Sequence, residues 1–475
     1  MKRRIGNIDI DKISLNMIML VNCFLCFFEE VVEMHFLVMF FYAVAIGLLI
    51  WKRKMTFVRG TGLMLLYILG IFLSIAVSGT SFRGLYRAGL TAMMVAFAAF
   101  ADFDTDTLDL TKTALIFFGV FNAVAVFVQF LMKDTFTLLL YEWFNMDAVA
   151  EAWHYYRRGG YYAGVNTKPH ETAGMIAAAI AVLFTTSWGK KNRRWLALPV
   201  CMFFPLLLTG KRAIFVLTAG CAVLVYVLTQ LANRRWRQVA WIIAGTIAVG
   251  GLGVLVIFLN LDNPLFSRFA TLFEGESFID QTRLNLWGDA WKLFTKYPLF
   301  GVGFTNFNEW TVSYFGYPRS HSVNLDYLQF LCETGIIGFT LMMTPIIFTL
   351  VRTVKLGCYA AKENLPAKER DLVFFAVYMQ FFVLLYALIE VPFYNNLFFS
   401  YYIFSSIIIH TYYAAYLAGD KKEKYPFDWV ELFKNRPRSW AAWKACFAKA
   451  AAAVKHRVSG TYTTVKNRLL AKKRS

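Results

Sequence analysis

Stretches of roughly twenty apolar residues recur along almost the whole chain, and no other feature constrains the fold as tightly. A bilayer core of ~30 Å is crossed by ~20 residues of helix, which satisfy their own backbone hydrogen bonds within the segment. Twelve such runs stand near residues 13–28, 34–51, 60–78, 82–101, 113–132, 171–187, 196–209, 213–231, 239–259, 323–350, 372–389 and 397–417. The first and seventh are short, and the fourth opens with an amphipathic stretch from Phe82 to Leu90. Composition agrees, because 58% of the 475 residues are hydrophobic and only 17% are charged, against ~25% in a typical soluble chain. A soluble fold has no interior large enough for that much apolar surface. Disorder, coiled coil and a secreted disulfide scaffold are excluded by the hydrophobicity, the lack of sustained heptads and the scatter of seven cysteines. The expected fold is an all-α polytopic membrane protein of about twelve transmembrane helices.

Orientation follows from the basic residues. Lys2, Arg3 and Arg4 precede the first run like the start of a signal peptide, but Glu29 and Glu30 follow it without a small-residue cleavage site. A retained signal anchor is expected. With the N-terminus in the cytoplasm and sides alternating, seven inner segments hold 36 of the 49 Lys and Arg, 21 of them in the short loops. That asymmetry is the positive-inside pattern and puts both termini in the cytoplasm.

Two domains are expected: a membrane-embedded one over 1–418 and a basic cytoplasmic tail over 419–475. Two long outer loops, about 133–170 and 260–322, are rich in Trp, Tyr and Phe, which predicts a folded cap or re-entrant structure rather than disorder. The tail carries 15 basic and 4 acidic residues. Within it Trp440, Trp443, Phe447, Ala451 and Val454 share one helical face, edged by Lys444 and Lys455. This is the pattern of a helix lying on anionic membrane lipids, with a merely solvated tail as the plainer alternative. No recognition motif accompanies the charge, so nucleic acid is not an expected partner.

The chemistry-bearing residues are mostly basic and mostly outer. No phosphate-binding glycine loop is present, since Gly210-Lys211-Arg212 lacks the upstream glycine and the following Ser or Thr. Cys23 and Cys26 sit inside an apolar run and the six histidines are dispersed, so neither a metal nor a cofactor is expected. Lys211 and Arg212 begin the eighth run, Arg157 and Arg158 precede Gly159-Gly160-Tyr161-Tyr162, Arg283 lies four residues before Trp287, and Arg319 stands close to His321. Charges at a membrane edge are costly and usually functional, and a guanidinium grips phosphate in bidentate fashion. Grouped on an outer face, they point to a lipid-linked phosphate or pyrophosphate; snorkelling, or ion pairs with acids such as Glu274 and Asp280, is the alternative. His321 is able to accept a proton near neutral pH, though a histidine at a helix start more often caps it.

Leu208-Thr209-Gly210-Lys211-Arg212-Ala213 resembles a Thr-x-Ser-Arg helix start. Arg283 and Trp287, followed by Tyr297-Pro298-Leu299-Phe300-Gly301-Val302-Gly303-Phe304-Thr305-Asn306-Phe307, resemble an Arg/Trp segment with a Pro-Leu-x-Gly-x-Gly signature. His321 through Gln329 to Glu333-Thr334-Gly335-Ile336-Ile337-Gly338 resembles a His-Asn…Leu-Gln…Glu-x-Gly helix, and Arg158-Gly159-Gly160-Tyr161 to Asn166 a loop before the sixth helix. These four patterns together resemble the O-antigen ligase/polymerase superfamily of bacterial membrane glycosyltransferases. Two departures stand out. Lys211 replaces the usual Ser, and the superfamily's His position falls on Asn324, with His321 one helical turn earlier on the same face.

The resemblance implies a metal-independent glycosyltransferase in the bacterial cytoplasmic membrane, facing outward and using a glycan on polyprenyl (undecaprenyl) pyrophosphate. Arg212, Arg283 and His321 are then the candidate catalytic residues. Arg158, Lys211, Arg319, Asn324, Trp287 and Tyr161 are the candidate substrate-binding residues. Arg158 and Gly174, like Arg319 and Gly335, are separated by fifteen residues, a pairing that resembles O-antigen polymerases. Polymerisation of lipid-linked O-antigen, capsule or exopolysaccharide repeats is therefore favoured, with a chain-length regulator as a partner. Ligation onto another lipid, wall polymer or protein stays open, as does transport of the lipid-linked glycan by a flippase.

Overall fold

The computed structural model describes residues 4–5, 8–9, 35–51, 56–57, 61–100, 105–141, 150, 153–154, 156–157, 160–166, 168–188, 196–259, 281–417 and 425–426. The first apolar run, Arg158, Glu274, Asp280 and the tail from 427 lie outside them. Two compact units divide the chain, 1–426 and 427–475, and the described residues belong to the first.

That unit is helical. Fourteen helices run in chain order among the described residues: α1 (His35–Trp51), α2 (Leu65–Ser78), α3 (Phe82–Phe100), α4 (Thr105–Met132), α5 (Asp134–Tyr141), α6 (Pro169–Trp188), α7 (Ala197–Leu208), α8 (Arg212–Ala232), α9 (Trp236–Leu259), α10 (Gln281–Lys296), α11 (Phe307–Ser313), α12 (Asp326–Lys362), α13 (Ala367–Tyr386) and α14 (Asn396–Tyr416). The remaining regular structure is two short helical turns and two pairs of two-residue strands. Every apolar run that falls in the described residues folds as helix.

Among the described residues, four segments, Thr61–Ser78, Thr105–Met132, Arg212–Ala232 and Asp326–Lys362, are long and apolar enough to cross a membrane. Other helices carry polar groups, several of which the bundle pairs internally. In α13 the buried Gln380 amide donates to the Tyr402 carbonyl and to the hydroxyls of Ser405 and Ser406 on α14. Such pairing is what lets polar side chains persist inside an apolar bundle.

Packing centres on α12, which touches α2, α8, α10, α13 and α14, and on α6, which touches α4, α7, α8 and α13. Where α2 crosses α12, Gly70 meets Gly338 so closely that a Cβ on Gly70 would stand 2.9 Å from the Gly338 carbonyl oxygen. Small residues at such crossings let two backbones approach. The buried core is densest in α13 and α14, where Tyr378, Phe375, Phe382, Phe398 and Phe399 are almost wholly enclosed. By contrast α9 packs on α8 and leaves Trp236, Trp241, Ile247, Leu252 and Leu259 exposed. An uncovered apolar face of that length is costly in water and ordinary in lipid.

Candidate active site

Thirty-seven helical residues would span ~55 Å if straight, but α12 is not straight. At Gly335 its backbone adopts φ 63°, ψ −176°, a conformation essentially confined to glycine, and the helix breaks into a short and a long piece. The segment 297–307 fills the break. Val302 and Gly303 donate their N–H groups to the carbonyls of Cys332 and Glu333, while Ile336 and Ile337 donate to Pro298 and Leu299. Contact is so close that a Cβ on Gly301 would lie 2.3 Å from the Glu333 backbone, and one on Gly335 2.3 Å from that of Leu299. The two glycine motifs are thus the two halves of one clasp. Ser74 and Ser78 of α2 hold it from the other side, donating to the carbonyls of Glu333 and Gly301.

Glu333 organises the clasp. Its buried carboxylate accepts from the N–H of Thr305 (2.7 Å), the N–H of Phe307 (3.2 Å), the Gln329 amide (3.1 Å) and the Tyr394 hydroxyl (2.6 Å). Thr305 is held at φ 66°, a strained conformation for a β-branched residue, and the bond from its N–H to Glu333 helps to keep it there.

Beside the clasp, charges converge from four helix ends. The connector between α13 and α14 is docked on the start of α12: Asp326 N–H donates to the Ala387 carbonyl, and Phe393 N–H donates to Asp326 Oδ2. This fixes Glu390. Arg283, on the first turn of α10, donates to Glu390 Oε1 at 2.7 Å and to the Ile389 carbonyl at 2.9 Å. Lys211, just before α8, lies within electrostatic reach of both Glu390 and Arg283. Burial pulls its ammonium below the ordinary range; Glu390 opposes that shift and Arg283 adds to it. Its Nζ also stands 5.4 Å over the Tyr161 ring, which covers Gly210. From the start of α6, His170 feels the charges of Lys211 and Lys168, and Glu171 Oε1 accepts from the Asn395 amide at 3.1 Å. Arg212 is half-buried on the first turn of α8.

The other sequence candidates form a neighbouring group. Trp287, one turn after Arg283, donates Nε1–H to the Val323 carbonyl at 3.0 Å. His321 packs edge-on against Tyr317 at 5.5 Å, and its N–H donates to Thr311 Oγ1. Burial and the charge of exposed Arg319 both lower its pKa from 6.5, so the imidazole is neutral at pH 7. Asn324 sits at φ 56° and accepts from the Ser322 hydroxyl. Arg157 meets Asp134 at 3.5 Å in an exposed ion pair; Arg158 lies outside the described residues.

Residues 197–343 match the O-antigen ligase family. The matched segment runs from α7 into α12 and carries Lys211, Arg212, Arg283, Trp287, Arg319, His321, Asn324 and both halves of the clasp; Tyr161 and Glu390 fall outside it. The match supports the O-antigen ligase/polymerase superfamily for this chain, a family of glycosyltransferase-like enzymes. The spanning helices mark a membrane protein. No curated protein matches the chain.

Sequence reasoning passed over Glu390, His170 and Lys168. Glu390 had a signal: a lone acid between two apolar runs, two residues before Pro392. The histidine had none, because its meaning depends on Lys211 lying beside it in space.

Proposed function

We propose that the protein transfers a glycan from polyprenyl pyrophosphate to an acceptor hydroxyl on the outer side of the cytoplasmic membrane, with both termini inside and about twelve spans. The observation that carries this reading is the convergence of Lys211 and Arg283, from two distant segments, on one partly exposed anion-binding position that Glu390 now fills. As the bond to the anomeric carbon breaks, negative charge gathers on the departing diphosphate, and donors already aimed at it stabilise the transition state without reorganising. Arg283 and Arg212 hold the diphosphate, assisted by Lys211 and, from the outer loops, Arg158 and Arg319. His321 and Asn324 orient the acceptor, and Trp287 and Tyr161 offer ring faces to sugars. No step requires a metal ion.

Polymerisation of lipid-linked repeats is the favoured form of this reaction, and the basic tail is assigned to the anionic inner leaflet. A lipid-linked glycan transporter fits less well, since the described cationic cluster lies at helix ends and in connectors rather than at mid-helix breaks. Reconstitution of the purified protein with a short polyprenyl-pyrophosphate-linked repeat tests both points. Growth of the lipid-linked chain without a second acceptor means polymerase. Transfer only to an added lipid, wall-polymer or protein acceptor means ligase. Movement of the glycan across the membrane with no bond made would overturn the enzymatic reading.

A further inference from the structure

Arg283 is not waiting empty-handed for a diphosphate. It already holds a carboxylate, and that carboxylate has a second cation, Lys211, nearby. The pair adds little to stability, because Arg283 keeps 29% and Glu390 33% of its side-chain accessibility, and ion pairs so open to solvent are screened by water. A diphosphate carries more negative charge than one carboxylate, so it competes well for the same guanidinium.

The other carboxylates at this end are committed elsewhere. Tyr386 lies within electrostatic reach of Glu171, Asp326, Glu390 and Arg283, which places the three acids around it. Asp326 is fully buried and accepts from Phe393 N–H. Glu171 is buried and bound by Asn395. Glu333 carries four donors in the clasp. Glu390 alone among these is partly open to solvent, with only Oε1 engaged by hydrogen bonds among the described residues.

Resting on the glycan-transfer reading, we propose that Glu390 is the proton acceptor of the reaction, exchanged off Arg283 by the diphosphate and then turned to the acceptor hydroxyl. The acceptor oxygen forms a bond to the anomeric carbon as the bond from that carbon to the diphosphate oxygen breaks. The electron pair leaves on the polyprenyl diphosphate, and the hydroxyl proton passes to the Glu390 carboxylate. A positioned base of this kind contributes ~10²–10⁴ in rate.

The test uses the whole protein in liposomes with the same lipid-linked repeat. Glu390→Gln keeps an oxygen for Arg283 but cannot take the proton; kcat is expected to fall by at least ~10²-fold while the KM for the donor stays the same or decreases. Glu390→Asp is expected to recover part of kcat. The acid limb of the pH–rate profile is expected to vanish in Glu390→Gln. Groups facing Glu390 that shape that limb are Arg283 from α10, Lys211 before α8, Asp326 from α12 and Tyr386 from α13. Wild-type kcat in Glu390→Gln overturns the proposal. So does a variant that loses donor affinity, keeps the wild-type pH profile and gains nothing from Glu390→Asp, since that describes an anchor for Arg283. Melting temperatures of the variants exclude misfolding as the cause. If Arg283→Ala retains wild-type activity, the glycan-transfer site itself is wrong; if Arg283→Ala is dead and Glu390→Gln is not, only the role of Glu390 fails.

Discussion

Trp287 donates its indole N–H to the carbonyl of Val323 at 3.0 Å. One turn earlier on the same helix, Arg283 reaches Ile389 and Glu390. Helix α10 therefore ties the segment bearing His321 and Asn324 to the connector bearing Glu390, and sets the spacing between the two candidate groups. Its other face is held by Leu286, Ala290 and Leu293 in a small core with Val302, Phe307 and Val323.

Trp287→Phe keeps a ring at that position but removes the donor. Leaving the Val323 carbonyl unpaired is expected to cost ~1–2 kcal/mol, read as a lower melting temperature in detergent. Glycan transfer is expected to fall several-fold while the cationic cluster stays assembled.

Arg283→Ala is expected to abolish glycan extension while the protein still inserts normally. Removal of one preorganised donor to a developing anion costs ~3 kcal/mol, on the order of a hundredfold in rate. Polymer of wild-type length in that variant would refute the site.

Arg212→Lys tests whether planar geometry matters. An ammonium is a point charge and cannot make the paired contact of a guanidinium, so chain extension is expected to fall by at least about tenfold, measured on the lipid-linked product.

Glu333→Ala is expected to destabilise the protein by ~3–5 kcal/mol, because it strands the buried N–H groups of Thr305 and Phe307 together with the Gln329 amide and the Tyr394 hydroxyl. Tyr394→Phe removes one of the four donors and is expected to cost ~1 kcal/mol. Thermal melting of the two variants checks the order.

The imidazole of His321 has its pKa lowered from 6.5 by burial and Arg319. Its neutral form therefore predominates at pH 7 and is lost as pH falls through a value below the ordinary 6.5. If the neutral imidazole orients the acceptor, His321→Ala lowers activity at pH 7 and Arg319→Gln shifts that loss to higher pH, because the shift caused by the neighbouring charge disappears. Full activity in His321→Ala would move the role to Asn324.

The helical runs, the uneven distribution of Lys and Arg and the glycine motifs were all readable from the chain alone. Helix formation in an apolar segment is a local matter, decided by residues within a turn or two of each other. The same holds for the identity of Arg283 and Lys211 as unusual charges. What those charges meet is not local. Glu390 lies 107 residues from Arg283, and Lys211 precedes a different helix, so their encounter depends on how α8, α10 and the α13–α14 connector pack around α12. The motif around Gly335 shows the same division. Its glycines announce a tight place in the backbone, but only the assembled fold reveals that the tightness is a helix break filled by residues 297–307. Local sequence sets which groups are present and in what secondary structure; long-range packing sets which carboxylate faces which cation, because electrostatic pairing depends on distances in space that sequence separation does not encode.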